Sequence, residues 1–228
     1  MRQKLIVAML AISSILLMRN LYVMLLVLSN ELNQGAIWRI FYFHVPSAIS
    51  SMIGFYIGAG FSVMYLWKKD LKYDAWAAVV SEISLVFACV ALITGMIWAR
   101  IAWGVWWAVG DHRLTSYLIC ILMYAGYLML RRSVQDPAQR ASLSSVIAIF
   151  ASLDIIIVWK SIEWWRGNHP GPVLETRGGG GMPPGWETLM YWNLLAIALL
   201  AVSMALIRHR QEVMQGEIDS VRRFAHEQ

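Results

Sequence analysis

Residues 77–98 read Ala-Ala-Val-Val-Ser-Glu-Ile-Ser-Leu-Val-Phe-Ala-Cys-Val-Ala-Leu-Ile-Thr-Gly-Met-Ile-Trp, and Glu82 is the one charged side chain among them. A helix needs about 20 mostly apolar residues to cross the hydrocarbon core of a bilayer. The composition of the whole chain points the same way, because 59% of its 228 residues are hydrophobic and 14% are charged. Soluble domains carry about 25% charged residues. The chain is therefore predicted to be a membrane protein.

Six stretches of this kind lie along the chain, and we expect each of them to form one transmembrane helix. Their approximate ranges are 4–26, 42–67, 77–98, 115–130, 143–162 and 189–207. The first stretch is interpreted as a membrane span rather than a cleaved signal peptide, because its apolar run outlasts an h-region and no Ala-x-Ala-like site follows it. The predicted fold class is an all-α polytopic membrane protein, with residues 1–228 in a single membrane domain.

The distribution of Lys and Arg predicts the orientation. If the N-terminus is cytoplasmic, twelve of the nineteen basic residues fall on the cytoplasmic side, six fall on the opposite side, and Arg19 is undecided. The positive-inside rule then places both termini in the cytoplasm, with residues 208–228 as a cytoplasmic tail. We interpret the net charge of +5 as a result of the basic residues that orient the helices, because these residues are spread over short loops and form no single basic patch. We expect contact with membrane lipid and not with nucleic acid.

The predicted outer loop 99–114 contains Trp103-Gly104-Val105-Trp106-Trp107-Ala108-Val109-Gly110-Asp111-His112-Arg113. So much flat aromatic surface, followed by charged groups, suits a flat apolar ligand with charged edges. Ten of the twelve tryptophans fall in outer loops or at the outer ends of spans: Trp38, Trp98, Trp103, Trp106, Trp107, Trp159, Trp164, Trp165, Trp186 and Trp192. An aromatic belt, the alternative interpretation, would decorate both interfaces.

Three histidines also fall on the outer side. His44 lies at the outer mouth of the second span, where Pro46 suits a first helical turn, and His169 lies in the second outer loop, 163–188. A single histidine at a membrane edge is usually a structural hydrogen-bonding residue. Two histidines that share a face with a tryptophan-rich loop favour a metal or cofactor site.

The residue types favour haem over a bare metal ion. Zinc and copper sites need several clustered ligands, and few sulfur or carboxylate groups are near His44 or His169 in the sequence. Haem needs one or two axial imidazoles, an apolar aromatic wall and cations for its propionates. The two histidines supply the imidazoles. The wall would be built from Trp103, Trp106, Trp107, Trp164 and Trp165, and the propionate partners are Arg113, Arg100 or Arg166, with Arg39 a weaker candidate.

Three motifs in order resemble one known family. They are Phe41-Tyr42-Phe43-His44-Val45-Pro46-Ser47-Ala48, the stretch 103–111 running into Arg113-Leu114-Thr115-Ser116, and Glu163-Trp164-Trp165 followed by His169-Pro170. Over about residues 35–207 the chain resembles the CcmC haem-handling subunits of cytochrome c maturation, within the tryptophan-rich WWD group. Six spans with cytoplasmic termini also fit this family.

The resemblance implies a haem-transfer protein rather than a turnover enzyme. Its members hold haem b at the outer face of the cytoplasmic (inner) membrane and present it to the haem chaperone CcmE, alongside the ABC subunits CcmA and CcmB and the small subunit CcmD. By position, the axial histidines of the family correspond to His44 and His169. The remaining motif positions correspond to Trp103, Gly104, Trp106, Trp107, Asp111 and Arg113.

The chain departs from the family pattern W-G-x-W-W-x-W-D-x-R-L-T-S at one place. It lacks the fourth tryptophan, is one residue longer at Val109-Gly110, and has His112 after Asp111. His112 is a local peculiarity, a hydrogen-bonding partner of a propionate, or a substitute ligand. Two ionisable residues inside spans, Glu82 and Asp154, are given no role.

Two other functions remain open. One is a WWD protein that attaches haem to apocytochrome c directly. Such chains are usually longer and have histidines within the membrane, whereas no predicted span interior here contains one. The other is a non-haem structural subunit whose tryptophans only anchor it.

Overall fold

The computed structural model describes residues 2–165 and 186–226, which form six long α-helices and no β-strand. The helices are α1 (Arg2–Tyr22), α2 (Phe41–Lys68), α3 (Leu71–Ala102), α4 (His112–Ser133), α5 (Pro137–Trp164) and α6 (Trp186–His226). A π-helical turn, Val23–Val27, continues α1, and a 3-10 turn, Ala36–Ile40, precedes α2. In the described part of the chain, six helical segments are long and apolar enough to cross a membrane. The predicted all-α fold with six spans is confirmed.

Helices α3, α4 and α5 each begin several residues before the predicted span because an aspartate caps the first turn. The carboxylates accept backbone N–H groups as follows: Asp70 from Lys72 at 3.0 Å, Asp111 from Leu114 at 3.1 Å and Asp136 from Gln139 at 2.7 Å. Such caps satisfy N–H groups that have no partner within the helix. The fourth span, predicted as the short stretch 115–130, is in fact a helix of 22 residues.

Helix α6 extends far beyond the predicted sixth span. It runs for 41 residues, so the predicted tail begins inside this helix rather than after it. Helix α1 is likewise continuous through Arg19 and Asn20. The side-chain amide of Asn20 is fully buried and donates to the side-chain oxygen of Asn193 on α6 at 3.0 Å. The Ser13 hydroxyl donates to the carbonyl of Ala196 at 2.8 Å, so two polar contacts join α1 to α6.

Helices α2 and α3 form the most extensively packed pair. Glycines on α2 allow this approach, because a Cβ added to Gly58 would lie 2.6 Å from Oγ of Ser81, and one added to Gly54 would overlap Ser84. Small residues at helix contacts permit such close backbone packing in membranes. Helices α4 and α5 form the second large pair.

A buried core joins these two pairs. The rings of Phe55 on α2 and Tyr124 on α4 stack with centroids 3.8 Å apart, and both side chains are fully buried. Cys120 is buried in the same core, and Cys89 packs against it. The N-terminal ends of α2 and α4 and the C-terminal end of α3 meet at one end of this core. The candidate site lies where they meet.

Candidate functional site

A cavity of about 70 Å³ lies between the N-terminal ends of α2 and α4 and the C-terminal end of α3, which the charge distribution predicts to be on the outer side. Four of the predicted site residues line it, from three different parts of the sequence: His44, Trp103, Asp111 and Arg113. The remaining wall is mostly apolar, and Val158 of α5 contributes to it. The fold therefore brings an imidazole, an indole, a carboxylate and a guanidinium around one space.

The His44 ring is held by α3. Its Nδ1 lies 2.9 Å from the carbonyl oxygen of Ala91 and 3.1 Å from Oγ1 of Thr94. A carbonyl oxygen only accepts hydrogen bonds, so Nδ1 is the protonated nitrogen and donates. The lone pair of the neutral ring is then on Nε2, the usual arrangement in a histidine that ligates a metal, since the second nitrogen fixes the tautomer and the ring orientation.

Two further residues of α3 shape the surroundings of His44. Gly95 lies against the ring, because a Cβ added there would be 2.9 Å from Cε1 of His44. Trp98 meets the ring edge-on, with centroids 5.9 Å apart and an interplanar angle of 88°. The indole N–H of Trp98 donates to the side-chain oxygen of Gln34 at 2.6 Å, so the loop before α2 holds the indole in place. The sequence pattern places Trp98 at the end of a span and gives no sign of its contact with His44.

The tryptophan loop leaves α3 at Trp103. The half-buried Trp103 side chain lines the cavity. Gly104 follows with φ of +77°, a conformation that favours glycine, and its carbonyl accepts a hydrogen bond from the Arg100 guanidinium. Trp106 is exposed, Trp107 is half-buried, and neither lines the cavity. One of the three loop tryptophans is therefore placed against the space that His44 faces.

The extra residue of the loop is accommodated in a β-turn. The backbone N–H of Asp111 donates to the carbonyl of Ala108 at 3.0 Å, and Gly110 has φ of +92° at the third position, where glycine suits a type II turn. Val109 is 96% exposed at the tip of the turn, whereas Ala108 is buried. The insertion thus projects outward, and Asp111 remains the N-cap of α4.

Asp111 uses only part of its hydrogen-bonding capacity. One carboxylate oxygen caps α4, while Oδ2 is buried and has no hydrogen-bond partner among the described residues. Arg113, half-buried on the first turn of α4, forms no ion pair with any described residue. A buried unpaired carboxylate oxygen is costly, so a polar group of a ligand has a partner ready in this cavity.

Tyr117 lies one turn further along α4, also lines the cavity, and was not identified from the sequence. Its hydroxyl is 2.8 Å from Oγ of Ser51 on α2, which gives a buried hydrogen bond beneath the cavity. Because Arg113 and Tyr117 are four residues apart, they lie on the same face of the helix. That spacing is a sequence signal that could have identified the tyrosine.

The other predicted aromatic residues lie outside the cavity lining. Trp164 and Trp165, at the end of α5, contact each other edge-on with centroids 5.7 Å apart. Trp165 also contacts His112, with ring centroids 4.8 Å apart. His112 therefore belongs to an outer aromatic cluster formed by Trp164, Trp165 and His112, which we call the α5 end cluster. His169 and Arg166 lie outside the described residues.

The two ionisable residues in the spans, Glu82 and Asp154, have different surroundings. Glu82 on α3 pairs with Arg208 on α6 at 2.9 Å. Asp154 on α5 is half-buried, and its Oδ2 has no hydrogen-bond partner in the described ranges. Neither side chain lines the outer cavity. Within residues 2–165 and 186–226, no three His, Cys, Asp or Glu side chains are grouped as a metal ion would require.

Comparison with known proteins gives a consistent result. The family model described as CcmC, heme exporter protein C, matches residues 1–223. The heme exporter protein C of Bradyrhizobium diazoefficiens is 31% identical over 193 residues, which cover 84% of this chain and 73% of the relative. The Escherichia coli K12 protein of the same name is 31% identical over 189 residues, covering 82% and 75%. The Paracoccus denitrificans protein is 30% identical over 189 residues, covering 82% and 78%.

Proposed function

Because this chain belongs to the heme exporter protein C (CcmC) family, we propose that it binds haem b at the outer face of the cytoplasmic membrane and presents it to the haem chaperone CcmE. The relatives carry the name of a haem exporter component, which supports a role in cytochrome c maturation. In this proposal haem is cargo that the protein holds and passes on, and the chain works beside CcmA, CcmB and CcmD.

The observation that carries the proposal is the surroundings of His44. Its Nδ1–H donates to the Ala91 carbonyl, so Nε2 has the lone pair, and the ring borders a cavity that Arg113 also lines. An imidazole nitrogen that carries a lone pair is what ferrous or ferric haem needs as an axial ligand. The Arg113 guanidinium forms no salt bridge with any described residue, and it suits a propionate because Arg binds carboxylates in a bidentate fashion.

The described residues supply part of a haem site rather than a closed pocket. At about 70 Å³ the cavity has the volume of two or three waters, at roughly 30 Å³ each, which is much less than a porphyrin. Haem would therefore rest against the cavity mouth, with His44 and His169 as axial ligands and Trp103 as part of the wall. Gly104, Trp106, Trp107, Asp111, Trp164 and Trp165 complete the proposed binding set.

Exposed aromatic side chains suit a ligand that must leave again. Trp106 and Trp164 are each 56% exposed and Trp165 is 41% exposed. Each aromatic contact contributes on the order of 1 kcal/mol beyond the burial of apolar area. A porphyrin that contacts a few partly exposed indoles would therefore bind reversibly. Exchange of one axial imidazole would then release the haem to the chaperone.

Single His44→Ala and His169→Ala replacements test the axial assignment. The purified variants are compared with the wild type for haem content and for the Soret spectrum. We expect each replacement to lower haem content and shift the Soret band. His209→Ala is the matched control, because it removes an imidazole that stacks on Trp76 and does not line the cavity. Wild-type spectra in both the His44 and the His169 variants would refute the axial assignment.

Presentation to the chaperone needs a separate experiment. Cells that produce this chain with CcmE should accumulate covalently haem-loaded CcmE, and the loading should fall in His44→Ala. A direct haem-attaching enzyme would instead load apocytochrome c in cells that lack the other maturation subunits. If apocytochrome c is loaded there and CcmE is not required, the transfer role proposed here is wrong.

A further inference from the structure

A second cavity, of about 140 Å³, lies at the opposite ends of the helices from the His44 site. It opens between α3, α4, α5 and α6, on the side that the Lys and Arg distribution assigns to the cytoplasm. Six charged side chains line it: Glu82, Arg131, Arg132, Arg140, Arg208 and Glu212. We call it the four-arginine cavity. The proposed haem function makes no use of it.

Two of the four arginines are neutralised by protein carboxylates. Arg131 forms a bidentate pair with Asp74 at 2.5 and 2.9 Å, and its guanidinium is also 3.6 Å from Glu212. Arg208 pairs with Glu82 at 2.9 Å and with Glu212 at 3.0 Å. The chain of ion pairs thus uses all three neighbouring carboxylates and ties α3 and α4 to α6.

The other two arginines, Arg132 and Arg140, form no ion pair with any residue in the described ranges. Nε of Arg140 is buried and lacks a hydrogen-bond partner within the same ranges. Asp136 is the acidic residue nearest to both in sequence, and its carboxylate caps α5 by accepting the N–H of Gln139. A buried N–H donor of a charged group lowers the stability of the fold when it has no acceptor. An anion bound in this cavity would supply an acceptor for Arg140.

The chemistry and size of the cavity indicate which anion fits. Its volume of about 140 Å³ is enough to admit a phosphate group. Guanidinium groups bind phosphate oxygens through paired N–H donors. Basic pockets between helices at the cytoplasmic side of a membrane are typical sites for anionic lipid headgroups.

We propose that the four-arginine cavity binds the phosphate of an anionic phospholipid headgroup, with Arg132 and Arg140 as the groups that contact it. The same chemistry would accept a free phosphate ion, and the experiment distinguishes the two sources. The bound phosphate completes the charge balance of the ion-pair chain that links α3, α4 and α6 at these ends.

The test uses the full-length protein, delipidated in a neutral maltoside detergent. Binding of phosphatidylglycerol, phosphatidylcholine and inorganic phosphate is measured by native mass spectrometry for the wild type, Arg132→Gln and Arg140→Gln. Arg222→Gln is the matched control, because this arginine lies near the end of α6, is 71% exposed and does not line the cavity. We expect each cavity variant to bind phosphatidylglycerol about tenfold more weakly, the effect of one charge-assisted hydrogen bond, and the control to match the wild type.

The outcomes separate clearly. If the wild type binds phosphatidylglycerol more tightly than phosphatidylcholine, and the cavity variants lose this preference, the result supports binding of an anionic lipid headgroup. Binding of inorganic phosphate without preference for phosphatidylglycerol assigns the cavity to free phosphate and overturns the lipid source. Equal binding of phosphatidylglycerol by the wild type, both cavity variants and the control overturns the proposal. Arg132 is exposed, so its variant keeps the test valid even if Arg140→Gln does not fold.

Discussion

Gly95 offers the sharpest test of how the His44 ring is positioned, and we predict that Gly95→Ala weakens haem binding while the protein stays folded. The added Cβ would lie 2.9 Å from Cε1 of His44, where ordinary contact begins at 3.4 Å. The ring must therefore move by about 0.5 Å, a distance at which binding geometry is already lost in tightly built sites. The movement strains the Nδ1–H bond to Ala91, which is 2.9 Å long in the wild type.

The Gly95→Ala substitution should change the free energy of unfolding and the free energy of haem binding by different amounts. Overpacking costs about 1–3 kcal/mol, while replacing a helical glycine with alanine stabilises a helix by about 1 kcal/mol. The free energy of unfolding should thus change by no more than about 2 kcal/mol. Haem binding has no such compensation, and displacement of Nε2 should weaken it about tenfold, which corresponds to 1.4 kcal/mol.

The assay is haem titration of purified protein, followed by the Soret band, together with thermal unfolding in the same detergent. Gly126→Ala is the matched control, because Gly126 lies in a helix and a Cβ there meets no atom within 4 Å. It should leave haem binding unchanged. If Gly95→Ala binds haem as tightly as the wild type with an identical Soret band, the His44 ring position inferred here does not control ligation, and the reasoning fails.

Three further predictions concern other contacts. Asp111→Ala should destabilise α4 by about 0.5–2 kcal/mol through loss of the cap. Asp111→Asn should keep the cap and the melting temperature but weaken haem binding, since the negative charge that attracts the Arg113 guanidinium is lost; equal haem affinity of Asn and wild type would show that this charge does not position Arg113 for haem. Asn193→Ala should lower stability by about 1–3 kcal/mol because Asn20 is then buried without its partner, and Asn193→Leu combined with Asn20→Leu should recover most of that loss in thermal melts. Arg131→Met should cost about 3–5 kcal/mol, since Asp74 would become a buried uncompensated charge, and adding Asp74→Asn should restore much of the stability; a melting temperature that does not change in the single variant would contradict this.

The number and order of the helices could be predicted because each helix that crosses the bilayer needs about 20 mostly apolar residues. The helix ends could not be predicted, since an α-helix continues into the polar interface wherever a cap and neighbouring helices stabilise it. Asp70 and Asp111 start α3 and α4 well before their apolar runs, and the polar residues of α6 stay helical up to His226.

The candidate site was predictable to the extent that its chemistry is concentrated in short motifs. His44, Trp103 and Arg113 were chosen from residue type and sidedness, and the fold brings them to one cavity. Trp98 was missed as a site residue because its edge-on contact with His44 depends on how α2 packs on α3, which no local pattern encodes. The division of the tryptophans between the cavity wall and the exposed surface depends on the path of the loop, and that too is absent from composition and spacing.

The cavity at His44 lies between two helix pairs, α2 with α3 and α4 with α5. The imidazole belongs to the tightly packed pair of α2 and α3, and Arg113 belongs to α4, which packs with α5. A shift of one helix pair along the other would change the distance between Nε2 of His44 and the Arg113 guanidinium. The hydrogen bond of 2.8 Å between Ser51 on α2 and Tyr117 on α4 opposes such a shift. We expect Ser51→Ala to lose haem faster to a scavenging apoprotein, and to be less stable by about 1–3 kcal/mol because the buried Tyr117 hydroxyl loses this partner. In the proposed transfer of haem, a shift of one helix pair relative to the other would weaken haem binding while every helix stays intact.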